Sequence, residues 1–134
     1  MYRAHTISVG VRVSPAFAYA YIADPANLPE WAPGFVQSIE RQGEDWLART
    51  TLGEARFRFA PANDHGVLDH EVELPSGRFH NPMRVIPNGA GCEVLFTLLQ
   101  LPGMSDEQFT RDIETVRSDL KTLRNVLELR FGRR

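Results

Sequence analysis

An α+β fold is what this sequence predicts: one strand, short helices, a run of antiparallel strands and a long closing helix. Three observations predict it. Ile7, Val9, Val11 and Val13 alternate with Thr6, Ser8, Gly10 and Arg12, so one face of a strand is buried and the other wet. Between Phe35 and Pro102, turn signals at Gly43-Glu44, Leu52-Gly53, Asn63-Asp64-His65-Gly66, Ser76-Gly77 and Asn88-Gly89-Ala90-Gly91 divide the chain into the short strands of a six-strand meander. From Phe109 onward Ile113, Val116, Leu120, Leu123 and Leu127 follow at intervals of 4, 3, 4, 3 and 4. That is one apolar stripe along a helix of about seven turns.

The elements follow in order. Ser14-Pro15 supplies an N-cap and a proline at the first helical position, opening a helix from Ala16 to about Ala23 that carries Phe17, Tyr19, Tyr21 and Ile22. Asp24-Pro25 ends it, because the residue before proline avoids the α region. The segment Ala26 to Gly34, with Pro29 and Pro33 around Trp31, has room for at most one more short helical turn. At the far end Ser105 caps the long helix, and Gln108 three residues on completes a capping box. Glu107 with Arg111 and Glu114 with Arg117 sit at helix-neighbour spacing on its wet side. The stripe needs an apolar partner surface, and the inner face of the sheet is the only large one.

Composition narrows the function classes. A chain of 134 residues suits one domain, 1–134, large enough to bury roughly two-thirds of the surface its unfolded form exposes. With 43% hydrophobic residues and a net charge of −2 it is not a disordered chain. Fifteen Lys and Arg against 17 Asp and Glu leave no excess for non-specific phosphate binding, so a nucleic-acid partner is not expected. The single cysteine, Cys92, excludes an internal disulfide and a multi-cysteine zinc site. The N-terminal Met1-Tyr2-Arg3-Ala4-His5 has no apolar signal core, and no apolar run approaches the roughly twenty residues of a membrane span. A cytoplasmic location is expected.

The segment Asp24-Pro25-Ala26-Asn27-Leu28-Pro29-Glu30-Trp31, following a strand and a helix, resembles the START-like or SRPBCC superfamily: the polyketide cyclase/dehydrase and lipid-transport proteins, Bet v 1-like in fold. The Asn88-Gly89-Ala90-Gly91-Cys92-Glu93-Val94 hairpin, and Pro102-Gly103-Met104-Ser105 before the last helix, are similar to its bacterial members. The resemblance spans essentially the whole chain. It implies a helix-grip fold, a seven-stranded antiparallel sheet wrapped around the C-terminal helix with an interior cavity between them. Its members include ligand carriers, cyclases, hydrolases and regulators, so it speaks to fold more than to activity.

Turn positions set the expected register. With Ser76-Gly77 as a two-residue loop, Leu74 faces Phe79, Glu73 faces His80, Val72 faces Asn81, His70 faces Met83 and Asp69 faces Arg84. With Gly89-Ala90 as the next turn, Val85 faces Val94, Met83 faces Phe96 and Asn81 faces Leu98. The inner face then holds Leu68, His70, Val72, Leu74, Phe79, Asn81, Met83, Val85, Val94, Phe96 and Leu98. Phe57 and Phe59 join it, as do Trp46, Ala48 and Thr50 if Leu52-Gly53 is a turn. That turn sets Arg49 against Arg56, an unfavourable pair that leaves open an inward Arg49 as a cavity cation.

His70 and Asn81 are the polar members of this apolar face, and an unpaired buried polar group costs on the order of 1–3 kcal/mol. Either they are satisfied internally, by each other, by backbone or by water, or they orient a ligand in an apolar pocket. Phe57, Phe59, Met83, Phe96, Val116 and Leu120 are the expected apolar lining. Tyr21, at helical spacing from Phe17, is placed to reach the cavity, and Trp31 is a lid over its mouth or a core plug. His65 and His70 fall on different faces, so no metal site and no cofactor are expected.

Three functions stay open. The first is a binder of a small hydrophobic or aromatic molecule. The second is a cyclase- or dehydrase-like enzyme with His70 as general acid/base and Tyr21 as auxiliary donor. The third is a non-catalytic partner-binding subunit with a filled cavity. Leu95 and Leu99 on the outer face could seed a homodimer.

Overall fold

Alternation holds in β1 (Arg3–Val11), where Ile7 and Val11 are buried between exposed neighbours. The computed structural model describes residues 1–132. Ser14 caps α1 (Pro15–Ala23), its hydroxyl accepting the Phe17 N–H at 3.4 Å. The Asp24 carboxylate accepts from the Ala26 N–H at 3.1 Å and starts a 3-10 turn over Pro25–Asn27, which runs into the one-turn helix α2 (Leu28–Trp31). Where the sequence left room for a single turn, two short helical pieces form.

The meander comprises β2 (Val36–Gln42), β3 (Asp45–Thr50), β4 (Gly53–Phe59), β5 (His70–Leu74) and β6 (Gly77–Asn81), paired in that order. β7 (Met83–Asn88) and β8 (Gly91–Gln100) join β1 in a second sheet of order β1-β8-β7. The expected seven strands are therefore eight, in two sheets, among the described residues. Pro82 is the cause: with no N–H to donate, it splits one long strand into β6 and β7. The sheets stay stitched together beside it. The Leu68 N–H donates to the Met83 carbonyl and the Val85 N–H to the Gly66 carbonyl, both at 2.9 Å, and the Thr97 N–H reaches the Pro82 carbonyl at 3.0 Å.

Two hairpins close one step earlier than expected. The β5–β6 loop is Pro75-Ser76, so Leu74 faces Gly77, Val72 faces Phe79 and His70 faces Asn81. Gly77 takes a φ of +149°, open to glycine, as the residue that re-enters the ladder. In β3–β4 the loop is Thr51-Leu52, which sets Arg49 against Glu54 and Arg56 against Leu47. The like-charge clash disappears and Arg49 is exposed on the outer face, so it is no cavity cation. Both shifts change partners by two residues and leave every side chain on its expected face. The β7–β8 turn over Gly89-Ala90 pairs Val85 with Val94 and Met83 with Phe96 as expected, while the Asn81–Leu98 pairing is lost because β7 begins at Met83. Leu95 and Leu99, the expected dimer seed, are half-buried opposite Ser8 and Ala4.

Ser105 caps α3 (Asp106–Phe131) through the Gln108 N–H at 3.1 Å. The Gln108 side chain donates to Asp112 at 2.7 Å instead of closing the capping box. Phe109, Ile113, Leu120, Leu123 and Leu127 are buried, and Val116 packs half-buried against the same core. The helix rests on β1 and β8. Its end is fastened by Glu128, which accepts the Arg12 N–H at 2.9 Å, and by Arg130, which pairs with Glu30 of α2.

Gly66 marks the stitch between the sheets. Its φ is +70°, and a Cβ there would stand 2.1 Å from the carbonyl oxygen of Val85, whose N–H closes the same seam. Gly66→Ala is expected to cost about 2 kcal/mol or more, the left-handed strain plus displacement of β7. Urea denaturation measures it; a loss under about 0.5 kcal/mol, the size of a neutral surface change, would show that the seam is not needed.

Candidate functional site

His70 is fixed by its own strand. At the start of β5 its Nδ1 lies 3.1 Å from the Leu68 carbonyl oxygen. A carbonyl only accepts, so Nδ1 carries the proton and Nε2 presents a lone pair. Phe59 lies against the imidazole at 4.9 Å and 25°, Phe57 at 6.4 Å and 24°, and Phe96 meets it edge-on at 5.5 Å. Burial among these rings pushes the pKa down to about 4, against the opposing pull of the Leu68 hydrogen bond, so the ring is neutral at pH 7. Among the described residues Nε2 has no hydrogen-bond partner. Among the described residues the completely enclosed side-chain polar atom without a partner is Trp31 Nε1, so Nε2 is not completely enclosed.

Asn81 stands directly across the ladder from His70, half-buried, with its carboxamide in no hydrogen bond among the described residues. Backbone, not Asn81, satisfies the histidine. Phe57, Met83 and Phe96 are buried on this face, and Phe59 and Phe79 are half-buried at its margin. Val116 and Leu120, on the α3 stripe, belong to the same hydrophobic core.

Tyr21 and Trp31 belong elsewhere. The Tyr21 hydroxyl donates to Glu30, Arg130 lies 5.6 Å over the Tyr21 ring, and burial with the Glu30 contact raises the phenol's pKa. The hydroxyl is thus committed to a clasp joining the three helices and is no auxiliary donor to His70. Phe17, expected to share its inward face, is exposed and stacks on Phe131 at 5.3 Å. Trp31 is a core plug at 3% exposure, not a lid.

Open volume lies away from His70. A groove of about 1210 Å³ runs between the β1–α1 connection, the tip of the β7–β8 hairpin and the end of α3, lined by residues such as Val13, Phe17, Cys92, Arg124 and Phe131. Neither His70 nor Asn81 lines it. The core is closely packed, with Phe57 beside His70, and Met83 and Leu120 of the same core, at 2% exposure or less. No cluster of three His, Cys, Asp or Glu among the described residues could hold a metal ion. No helix among them is long and apolar enough to cross a membrane.

The family model described as polyketide cyclase / dehydrase and lipid transport matches residues 4–128. The chain belongs to that family. No curated protein matches this family member. Solved structures do. The protein XoxI from Bacillus cereus shares 17% identity over 92% of this chain and 94% of its own, with a TM-score of 0.74. A START superfamily protein from Mycobacterium smegmatis shares 16% over 96% and 99%, at 0.69. A truncated norcoclaurine synthase from Thalictrum flavum shares 14% over 100% and 96%, at 0.65. At such identities the likeness is one of fold.

The interior of this cyclase/dehydrase-family chain also holds a group that the sequence reading missed. Asp119 of α3 is 5% exposed and accepts the Gly34 N–H at 3.0 Å; burial raises its pKa to about 6 despite that bond. Asp112, one heptad earlier on the same flank of the stripe, is half-buried and also raised by desolvation, against its bond from Gln108. The signal was present: two aspartates seven apart beside an apolar stripe share its flank.

His70 and Asp119 give opposite pH dependences. His70 is held below its ordinary 6.5, so stability is lost as pH falls through the window down to about 4. Asp119 is held above its ordinary 3.8, so the folded chain binds the extra proton and stability is lost as pH rises toward 6 and above. Asp119→Asn keeps an acceptor for Gly34 and removes the charge. It is expected to exceed the wild type by roughly 2–3 kcal/mol at pH 7.5, shrinking to nothing near pH 4. Urea midpoints across that range measure the difference; a gap that does not change with pH contradicts the assignment.

Proposed function

We propose that this chain binds a small apolar aromatic molecule on the inner face of its sheet, beneath α3, with His70 and Asn81 as its polar contacts. The observation that carries the reading is the pairing itself. Two side chains with unused hydrogen-bonding capacity stand opposite each other on neighbouring strands, and Phe57, Phe59 and Phe96 surround the His70 ring. A ligand pocket of this kind is mostly apolar with a few fixed polar groups. The half-buried margin of Phe35, Ile39, Trp46, Phe59 and Phe79 supplies side chains that can shift to admit a ring, which the close packing beside His70 requires. The family description, with its lipid transport and polyketide chemistry, is in keeping with an apolar guest.

The acid/base alternative has less support. An imidazole held near 4 is not the imidazolium that a general acid requires at pH 7 and is a weak base there, whereas efficient proton transfer needs a pKa near the working pH. Tyr21, the other candidate donor, is bound to Glu30. The filled-core alternative draws on the tight packing of Phe57, Met83 and Leu120, and it is the one the experiment must beat.

The neutral fluorophore N-phenyl-1-naphthylamine tests the choice. Bound emission is expected with the wild type, and Val116→Trp, which fills space from the half-buried part of α3, is expected to weaken it at least about tenfold while the thermal midpoint stays close to the wild type's. Absence of binding, or equal binding to both proteins, supports the filled core instead.

A further inference from the structure

We infer that the ligand of this site is an uncharged aromatic that donates a hydrogen bond, of the phenol or indole type, and that carboxylates and other anions are refused. The inference rests on the binding reading above and goes further by fixing the sign of the key contact. Leu68 holds the proton of His70 on Nδ1, so Nε2 meets a guest only as an acceptor. A ketone, an ether or a carboxylate would bring lone pair against lone pair. A hydroxyl or ring N–H would complete the bond that Nε2 lacks.

Charge points the same way. The arginines of the meander and β7 lie outside: Arg56 and Arg58 pair with Asp45, Arg84 with Asp69, and Arg49 is exposed opposite Glu54. On α3 Asp112 and Asp119 flank the stripe on one side, while the half-buried Arg124 flanks it on the other and faces the groove that His70 does not line. An anion beneath the helix would find no cation from the sheet and two carboxylates from the helix, and its uncompensated burial costs several kcal/mol. The ring geometry favours a flat guest. His70 lies within 25° of the planes of both Phe57 and Phe59, with Phe96 edge-on, the arrangement in which aromatic faces stack well. Asn81, able to donate or accept, stands one ladder step away to meet a second polar atom.

Three probes of one shape test the inference at pH 7: 2-naphthol, 2-methoxynaphthalene and 2-naphthoate, titrated by calorimetry against the whole chain. Naphthol is expected to bind at least about tenfold tighter than either of the others, and His70→Phe is expected to bring naphthol down to the level of the methyl ether. In the wild type the ¹⁵N resonance of His70 Nε2 should move on adding naphthol and stay put on adding the ether, a readout that holds even if the variant folds poorly. If the ether binds as tightly as naphthol, or naphthoate binds best, the inference is overturned while the pocket stands. If none of the three binds, the pocket reading fails and takes the inference with it.

Discussion

The α3 stripe is the constraint on which the rest depends. Phe109, Ile113, Leu120, Leu123 and Leu127 are all buried, and burying each such side chain is worth roughly 1.5–3 kcal/mol. The helix can realise that gain only by lying across the sheet, which in turn must be apolar on one face and curved enough to meet it. The clasp at its far end, Tyr21 with Glu30 and Arg130, and the Arg12 N–H on Glu128, sets where along the sheet the helix stops. Once the helix is in place, the buried side chains of the interior are held away from water, including the ionisable His70 of β5 and Asp119 of α3.

Those exceptions define the interior's electrostatics. Desolvation acts on His70 and Asp119 alike but in opposite senses, since it disfavours whichever form is charged. The outcome is an interior that is close to uncharged at mildly acid pH and that ionises on the helix side as pH rises. His70 survives there because its one proton goes to the Leu68 carbonyl, and Asp119 because it ties down the Gly34 N–H in the loop between α2 and β2. Each makes one bond and leaves capacity over. In the histidine that spare capacity is a lone pair, which is why the site reads as a receiver of hydrogen bonds.

The sequence showed the order of elements, the α3 stripe and the identity of the inner face, because periods of two and 3.6 leave direct marks on the pattern of apolar residues. His70, Asn81, Phe57, Phe59, Met83 and Phe96 were legible for that reason. The register was misread by two at Ser76-Gly77 and Leu52-Gly53, since a glycine near a turn does not say whether it sits inside the loop or just past it. The error was harmless to face assignment and informative about charge: the true register replaces Arg49 against Arg56 with Arg49 against Glu54. Tyr21 was misplaced because helical spacing from Phe17 gives a shared face but not what that face meets. Asp119 was passed over because its neighbours were read for apolar character alone.

Pro82 explains why Asn81 is where it is. As the last residue of β6, Asn81 precedes the break that divides the sheet, and the strand restarts at Met83 with β8 as its partner. Across the seam the ladder is carried by a few bonds, from Leu68, Val85 and Thr97, instead of a full strand pairing. Widening a sheet elsewhere breaks ladder hydrogen bonds, each worth about 1 kcal/mol net. At Pro82 one donor is already missing, so part of that cost does not arise. The half-buried Phe59 and Phe79 lie on strands that end at this same margin, and the unpaired carboxamide of Asn81 lies beside them. A closely packed interior that must admit a guest yields most cheaply where its backbone is least tied, and here that place coincides with its free polar groups.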